Sequence, residues 1–277
     1  MRSILFSDFA VRAYIAASAV GLTAPAIGTF LVQRRLSLIG DGVGHLAFAG
    51  VALGLLFHLT PLWGALLVAL AGVVGLERLR ASGRLSGDLS MALVFYFGVS
   101  LGAVVLSGLN RFDASAIGIL FGSVFTVSSS DLAVMLALCA VVLVGVVVVY
   151  KELLAVSLDE ETAQAAGLPV EALNMLTVAL TALLVVAGMR AVGLLLIAAL
   201  LVVPVASGSR IAHSFRASML TAMALGVASA VIGLMAALVQ GRIAPGGSIV
   251  LTALAFFGLS MALGRRAFRR HPGRLAR

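Results

Sequence analysis

Apolar residues run along this chain in blocks about as long as a bilayer is thick, broken by short polar or basic stretches. The blocks fall near 12–33, 40–59, 61–79, 89–109, 131–150, 171–189, 191–209, 217–239 and 247–264. A membrane-spanning helix needs about 20 mostly apolar residues, so each block predicts one crossing. Where blocks abut, at Thr60/Pro61 and at Arg190, the count is eight or nine. A further stretch, ASAIGILFGSVFTV (114–127), is too short for a comfortable crossing and predicts a re-entrant or interfacial piece. Punctuation agrees with the cuts. Asp88 and Asp131 stand where a carboxylate caps a helix start. Pro245-Gly246-Gly247 marks a turn. Pro25 and Pro204 are expected to bend or interrupt their helices, with Pro204 stopping the seventh span. The pattern predicts an all-α polytopic bundle.

Composition turns that pattern into a class. Hydrophobic residues make up 62% of the 277 and charged residues 11%, against about 25% charged in soluble domains. Mean hydropathy is +1.18. The start, MRSILFSDFAVRAY, lacks a cleavage site after a short apolar core and reads as leading into a retained span. The single cysteine, Cys139, excludes an internal disulfide and a cysteine metal cluster.

The net charge of +8 matters through its distribution. Arg34/Arg35, Arg78/Arg80/Arg84, Lys151, Arg210/Arg216 and the Arg-rich tail follow the odd-numbered spans. Placing them inside satisfies the positive-inside rule, with the N-terminus outside and the C-terminus inside for nine crossings. This is the footprint of membrane orientation and excludes a nucleic-acid partner. Two regions follow: a transmembrane domain over 1–264 and a basic cytoplasmic tail over 265–277, near anionic headgroups.

Almost all of the eleven acidic residues fall at segment ends or in loops. Asp41 instead begins a long stretch with no other acid, just inside the second span. An ionisable group there is costly and tends to face a cavity with a partner. His45 follows at i+4 on the same helical face. Carboxylate and imidazole together suit zinc, manganese or iron. Two ligands do not hold a metal, but two copies of the helix at a twofold axis supply four. The small-xxx-small pairs Gly40/Gly44 and Gly50/Gly54 predict a face that allows such close approach. From spacing alone an equal reading stands beside this one: Asp41 caps the helix and His45 hydrogen-bonds to it.

The stretch APAIGTFLVQRRLSLIGDGVGHLAFAGVALG (24–54) resembles the signature region of the bacterial permease subunits of zinc, manganese and iron ABC transporters. Four further stretches match that family in order: LFGSVFTVSSSDL (120–132), DEETAQAAGLPVEALN (159–174), RAVGLLLIAALLVVPVASGSRIAHSF (190–215) and APGGSIVLTALAFFGLSM (244–261). Leu46 after the histidine, and Gly42 and Gly44 around it, depart from the usual pattern. The resemblance implies a type II ABC importer permease fold in the bacterial inner membrane. It implies a homodimer with Asp41 and His45 as metal ligands in the translocation path, zinc being the first expectation and manganese or iron the others. It also implies a cytoplasmic ABC ATPase and an extracytoplasmic metal-binding protein as partners. No cofactor is held permanently, the metal being the transported substrate.

The energy source is not in this chain. A P-loop ends in Gly-Lys-Ser/Thr, and Lys151, the only lysine, is followed by Glu152. The chain is therefore expected to be a transport subunit rather than an enzyme, with ATP used by the partner. The expected ATPase-coupling segment is PVASGSRIAHSFRAS (204–218), carried by Pro204, Ser207, Arg210, Ile211 and His213; the alternative is an ordinary basic loop. SLDEETAQAAGLP (157–169) reads either as a solvated acidic run or as a second ATPase contact. His58, at the outer end of the second span, reads as interfacial or as a receiver of metal from the binding protein. Trp63 and Tyr150 read as interfacial anchors. Three other classes compete with this one. A siderophore or cobalamin permease gives no reason for the Asp41/His45 pair. A proton-coupled secondary transporter would place more ionisable groups at depth. An intramembrane enzyme would need a motif such as H-E-x-x-H, which is absent.

Overall fold

The computed structural model describes residues 8–81, 87–109, 128–189, 192–240 and 243–269. In chain order the helices are α1 (Asp8–Gln33), α2 (Ile39–Leu56), α3 (Pro61–Ala81), α4 (Gly87–Gly108), α5 (Ser129–Val148), α6 (Tyr150–Leu158), α7 (Glu160–Ala165), α8 (Val170–Met189), α9 (Leu194–Ile211), α10 (Phe215–Gln240) and α11 (Pro245–Arg269). Each of the nine apolar blocks is one of these helices. Among the described residues eight are long and apolar enough to cross a membrane; α9 carries a shorter apolar stretch, Leu196–Ile211. The stretch 114–127 lies outside the described residues, as does 270–277.

Helix α1 is central. It packs against α10, α9, α5 and α8, and residues such as Ala13, Val20, Ile27 and Phe30 are wholly buried. Pro25 removes one backbone donor inside this helix, yet α1 continues through it. Thr29 donates its hydroxyl to the Pro25 carbonyl at 2.7 Å. Gly21 lies against Gly226 of α10, where an added Cβ would sit 2.7 Å from a backbone oxygen. The two backbones touch where the proline frees the Gly21 carbonyl.

Three helices end in the same way. At Gln33 the Leu36 N–H bonds the Leu31 carbonyl at 2.8 Å, with Arg35 left-handed at φ 59°. At Leu56 the Leu59 N–H bonds Gly54 at 2.8 Å, with His58 at φ 58°. At Ala165 the Leu168 N–H bonds Ala163 at 3.1 Å, with Gly167 at φ 85°. Each is a Schellman stop. The first reverses the chain into α2 within a few residues.

Several expectations change. Pro204 does not stop the seventh span: it lies inside α9, which runs on to Ile211. Neighbouring helices tolerate such a proline in a membrane bundle, and Ser207 donates to the Val203 carbonyl at 2.9 Å. Pro245 is the first residue of α11, not a turn, a position where its missing N–H costs nothing. Helix α11 crosses the expected boundary at 264 and reaches Arg269. Tyr150 is not an exposed anchor; its ring packs against Phe30 and Phe215 at centroid distances of 5.9 and 6.3 Å. Trp63 is exposed at the start of α3, as expected.

The glycine pairs on α2 are used inside the chain. Gly40 and Gly44 face the side chains of Leu201 and Leu194 on α9, and Gly50 lies on Gly64 of α3. Gly54 meets Gly64 and Thr60 at 3.4 Å. Those faces are therefore closed to a second copy of the helix.

Candidate metal site

Helix α2 is held by α3, α4, α8 and α9. Its N-cap is Leu38, in helical conformation and with no side-chain capping bond, so Asp41 is not the cap and belongs to the first turn. A carboxylate there is favoured by the helix dipole. His45 follows one turn deeper, its side chain 10% exposed against 33% for Asp41. His45 Nε2 stands 3.7 Å from Asp41 Oδ1. That is longer than a hydrogen bond and close to the roughly 3.4 Å between two donors on one tetrahedral ion with bonds near 2.1 Å. His45 Nδ1 is buried and has no hydrogen-bond partner, an arrangement native interiors rarely keep without a role.

Helix α4 forms the opposite wall. Phe95 meets the His45 ring edge-on, centroids 4.3 Å apart and planes at 72°. Gly98, one turn on, lies against the His45 backbone so closely that a Cβ would be 2.6 Å from its carbonyl. Between the helices a cleft of about 180 Å³ is lined by Leu38, Asp41, Gly42, Met91, Ala92, Phe95 and Tyr96. The cleft opens outward from the chain, on the side where Tyr96 and Leu38 are 66% and 60% exposed. Among the described residues no three His, Cys, Asp or Glu side chains gather as a metal cluster.

His58 lies elsewhere. It occupies the left-handed position ending α2, about 25 Å along the helix axis from Asp41. The sequence reading missed this backbone duty, which only the cap geometry reveals. His58→Gly is expected to keep the cap, since glycine favours φ > 0, and to leave metal uptake unchanged. A fall in uptake at equal membrane level would give the imidazole a part in metal handling.

The expected coupling residues divide. Pro204 and Ser207 are buried in the bundle, while Arg210, Ile211 and His213 are exposed. Arg210 sits 5.4 Å from the centroid of the Phe257 ring. Only the last three are open to a partner.

The acidic run 157–169 is a built element. Asp159 caps α7, accepting from Thr162 N at 3.0 Å and from its hydroxyl at 2.7 Å. Those bonds hold its carboxyl below the ordinary value of 3.8. The cap is fully present above that value and is lost as pH falls through the lowered one. Glu160 accepts from Arg34 Nη2 at 3.3 Å and from Asn174 Nδ2 at 2.8 Å. Nearby, Arg80 donates to the buried Glu77 at 2.9 Å. Glu77, Arg80, Glu160 and Asn174 border a cleft of about 860 Å³ between the end of α3, helix α7 and the start of α8. Sequence reasoning missed it, because Arg34 and Glu160 are 126 positions apart and carry no local signal of pairing.

Fold and site together define a polytopic helical transport subunit. The sequence model of the ABC 3 transport family matches residues 7–264. The chain belongs to that family and is a metal-ion ABC transporter permease, a multi-pass protein of the bacterial inner membrane. It is 31% identical over 252 residues to the manganese import system permease protein ScaB of Streptococcus parasanguinis, covering 91% of this chain and 89% of that one. It is 29% identical over 257 residues to the manganese transport system membrane protein MntC of Halalkalibacterium halodurans, covering 93% and 88%. Among solved structures, PsaBC from Streptococcus pneumoniae in complex with Fab superposes with a TM-score of 0.86 at 29% identity, covering 97% of both chains.

Proposed function

We propose that this permease carries a divalent transition metal inward, manganese first among manganese, zinc and iron, through a site built on Asp41 and His45. The observation that carries the reading is the pair itself: a carboxylate and a buried imidazole 3.7 Å apart, one turn from each other, with no capping duty and with a ring nitrogen unpartnered. The manganese preference rests on relatives named as manganese permeases. The donor set is compatible with all three metals. The cleft of about 180 Å³ is lined by Asp41 and not by His45, and its size favours a bare ion over a siderophore or cobalamin.

Two ligands per chain suit a homodimer in which each copy contributes one pair. The glycine faces of α2 are occupied, so the second copy would approach from the cleft side, past Leu38 and Tyr96. A metal held between two chains is bound briefly and released as they move, as conduction requires. The chain supplies the path and the ligands; a separate ATPase supplies the energy, and an external binding protein delivers the ion. No cofactor stays bound.

For the ATPase, the expected segment around Arg210, Ile211 and His213 remains one contact. The larger concave surface at an arginine-bearing helix end is the cleft beside α7, edged by Glu77, Arg78, Arg80, Gln164 and Glu171. Its size and charge favour it as the main docking surface, on the cytoplasmic side by the positive-inside rule.

The test is uptake of radioactive manganese by cells lacking their own importers and supplied with this permease, its ATPase and its binding protein. Manganese uptake that excess zinc and iron suppress only weakly supports the reading. Uptake of zinc or iron in preference to manganese keeps the site and changes the substrate. No uptake of any of the three with the complex assembled overturns it.

A further inference from the structure

Arg34 closes α1 at its C-terminal end and begins the short turn into α2. Its side chain is 8% exposed and its guanidinium reaches Glu160, the first residue of α7, at 3.3 Å. Glu160 is also held by Asn174 of α8 at 2.8 Å. Burial pushes the Arg34 guanidinium down from its ordinary value, and Glu160 opposes that shift. Arg80 and Glu77, themselves paired at 2.9 Å, act on Arg34 electrostatically as well. Two arginines and two glutamates thus join the ends of α1, α3 and α7 in one charge-balanced cluster.

The turn beyond Arg34 is tied down. Leu36 N–H bonds Leu31 O at 2.8 Å, Ile39 N–H bonds Leu36 O at 3.0 Å, and Gly42 N–H bonds Leu38 O at 3.1 Å. Backbone hydrogen bonds therefore tie the end of α1 to the turn at Leu36 and the turn to the start of α2, where Asp41 stands. A displacement of α7 acts on Glu160, and through Arg34 on that turn.

We propose that the Arg34–Glu160 pair is the positioning link that carries motion of the ATPase-docked helix α7 to the metal-ligating turn of α2. Arg34 and Glu160 touch neither metal nor nucleotide; they act through Asp41. This rests on the docking surface and the metal site proposed above. Because a helix and a buried charge are tied by one ion pair, losing either partner leaves the docked element free to move without the site following. Such a break separates hydrolysis from transport.

The test uses the complete transporter, permease with its ATPase and binding protein, reconstituted in proteoliposomes. ATP hydrolysis and manganese uptake are measured on the same preparation for the native chain, Arg34→Gln, Glu160→Gln and the exchange Arg34→Glu/Glu160→Arg. Asp8→Asn, an exposed acid at the opposite end of α1 from Arg34, is the control. A benzophenone on Gln164→Cys reports docking of the ATPase at the cleft independently, Cys139 being buried. The expected result is that both single variants crosslink and hydrolyse ATP while uptake per ATP falls about fivefold or more, the range of typical coupling between sites. The exchange restores the ratio, and Asp8→Asn leaves it unchanged. An unchanged ratio in the single variants, with the crosslink present, overturns the link and leaves the docking surface standing. A ratio that falls in the single variants and is not restored by the exchange also overturns it, since the residues would then act separately. Absence of the crosslink in an otherwise native chain overturns the docking surface, and the link with it.

Discussion

Asp41→Asn is expected to abolish metal uptake while the protein remains in the membrane at native or higher level. The substitution keeps the volume of the side chain and removes its charge. An amide oxygen is a poor substitute for a carboxylate toward a divalent cation. Changes to groups that merely orient metal ligands cost about 10–100-fold in affinity or activity, so loss of a ligand charge should reach or exceed the upper end. Stability should move the other way, because a carboxylate at the centre of a membrane helix costs about 2.5–3.5 kcal/mol on insertion scales. At the first turn that cost is smaller, and the helix dipole offsets part of it. Helix α2 does not need the charge as a cap, since its N-cap is Leu38. The measurement is manganese uptake beside membrane abundance and detergent melting temperature. His45→Asn should behave alike on uptake, because it removes the Nε2 that faces Asp41. Retained uptake in both variants would leave the pair without a role in transport.

The pair was legible because it is local. Two residues at i,i+4 on one helix are neighbours whatever the rest of the chain does, but spacing alone left a cap as an equal reading for Asp41, and only the N-cap at Leu38 removes it. The spans were legible for the same kind of reason: the length of an apolar run sets a crossing, and each block became a helix within a few residues. What failed were inferences about how the helices of this chain meet one another. The glycine pattern on α2 announces close approach, but small-xxx-small does not say to what. Here the partners are Leu194 and Leu201 of α9 and Gly64 of α3, inside the same chain. Pro204 obeys a rule for isolated helices and breaks it in context, because the bundle around α9 supports the turn that the proline weakens. The cluster of Arg34, Glu77, Arg80 and Glu160 was invisible, since each charge, taken alone, looks like a loop charge that orients the chain. The same arginine can set topology and close an ion pair; only the fold brings Glu160 to it.

The close contact of α4 on α2 has its own consequence: Gly98→Ala is expected to cost both stability and transport. The added Cβ would meet the His45 carbonyl carbon and oxygen at 2.6 Å and the Leu46 nitrogen at 2.8 Å. These are backbone atoms of the helix that carries the ligands, so no side-chain rotation relieves the clash and one helix must move. Overpacking of this kind costs about 1–3 kcal/mol. The displacement falls on the site itself, because Phe95, one turn earlier on α4, lies against the His45 ring. Gly102→Ala would meet the buried Phe48 ring at 2.5 Å and the Ala49 Cα only at 3.4 Å, so a side chain rather than backbone takes the closest contact and the cost should be less. Gly258→Ala has nothing within 4 Å of the new Cβ and should be neutral. Melting temperature in detergent should therefore fall in the order Gly258→Ala, Gly102→Ala, Gly98→Ala, and uptake per molecule should fall most for the last. Equal melting temperatures for all three would mean that α4 does not rest on α2 at His45, and the cleft wall would have to be redrawn. A loss of stability without loss of uptake would mean that the imidazole holds its place without Phe95. The geometry argues against that, since His45 Nδ1 has no hydrogen-bond partner to hold it instead.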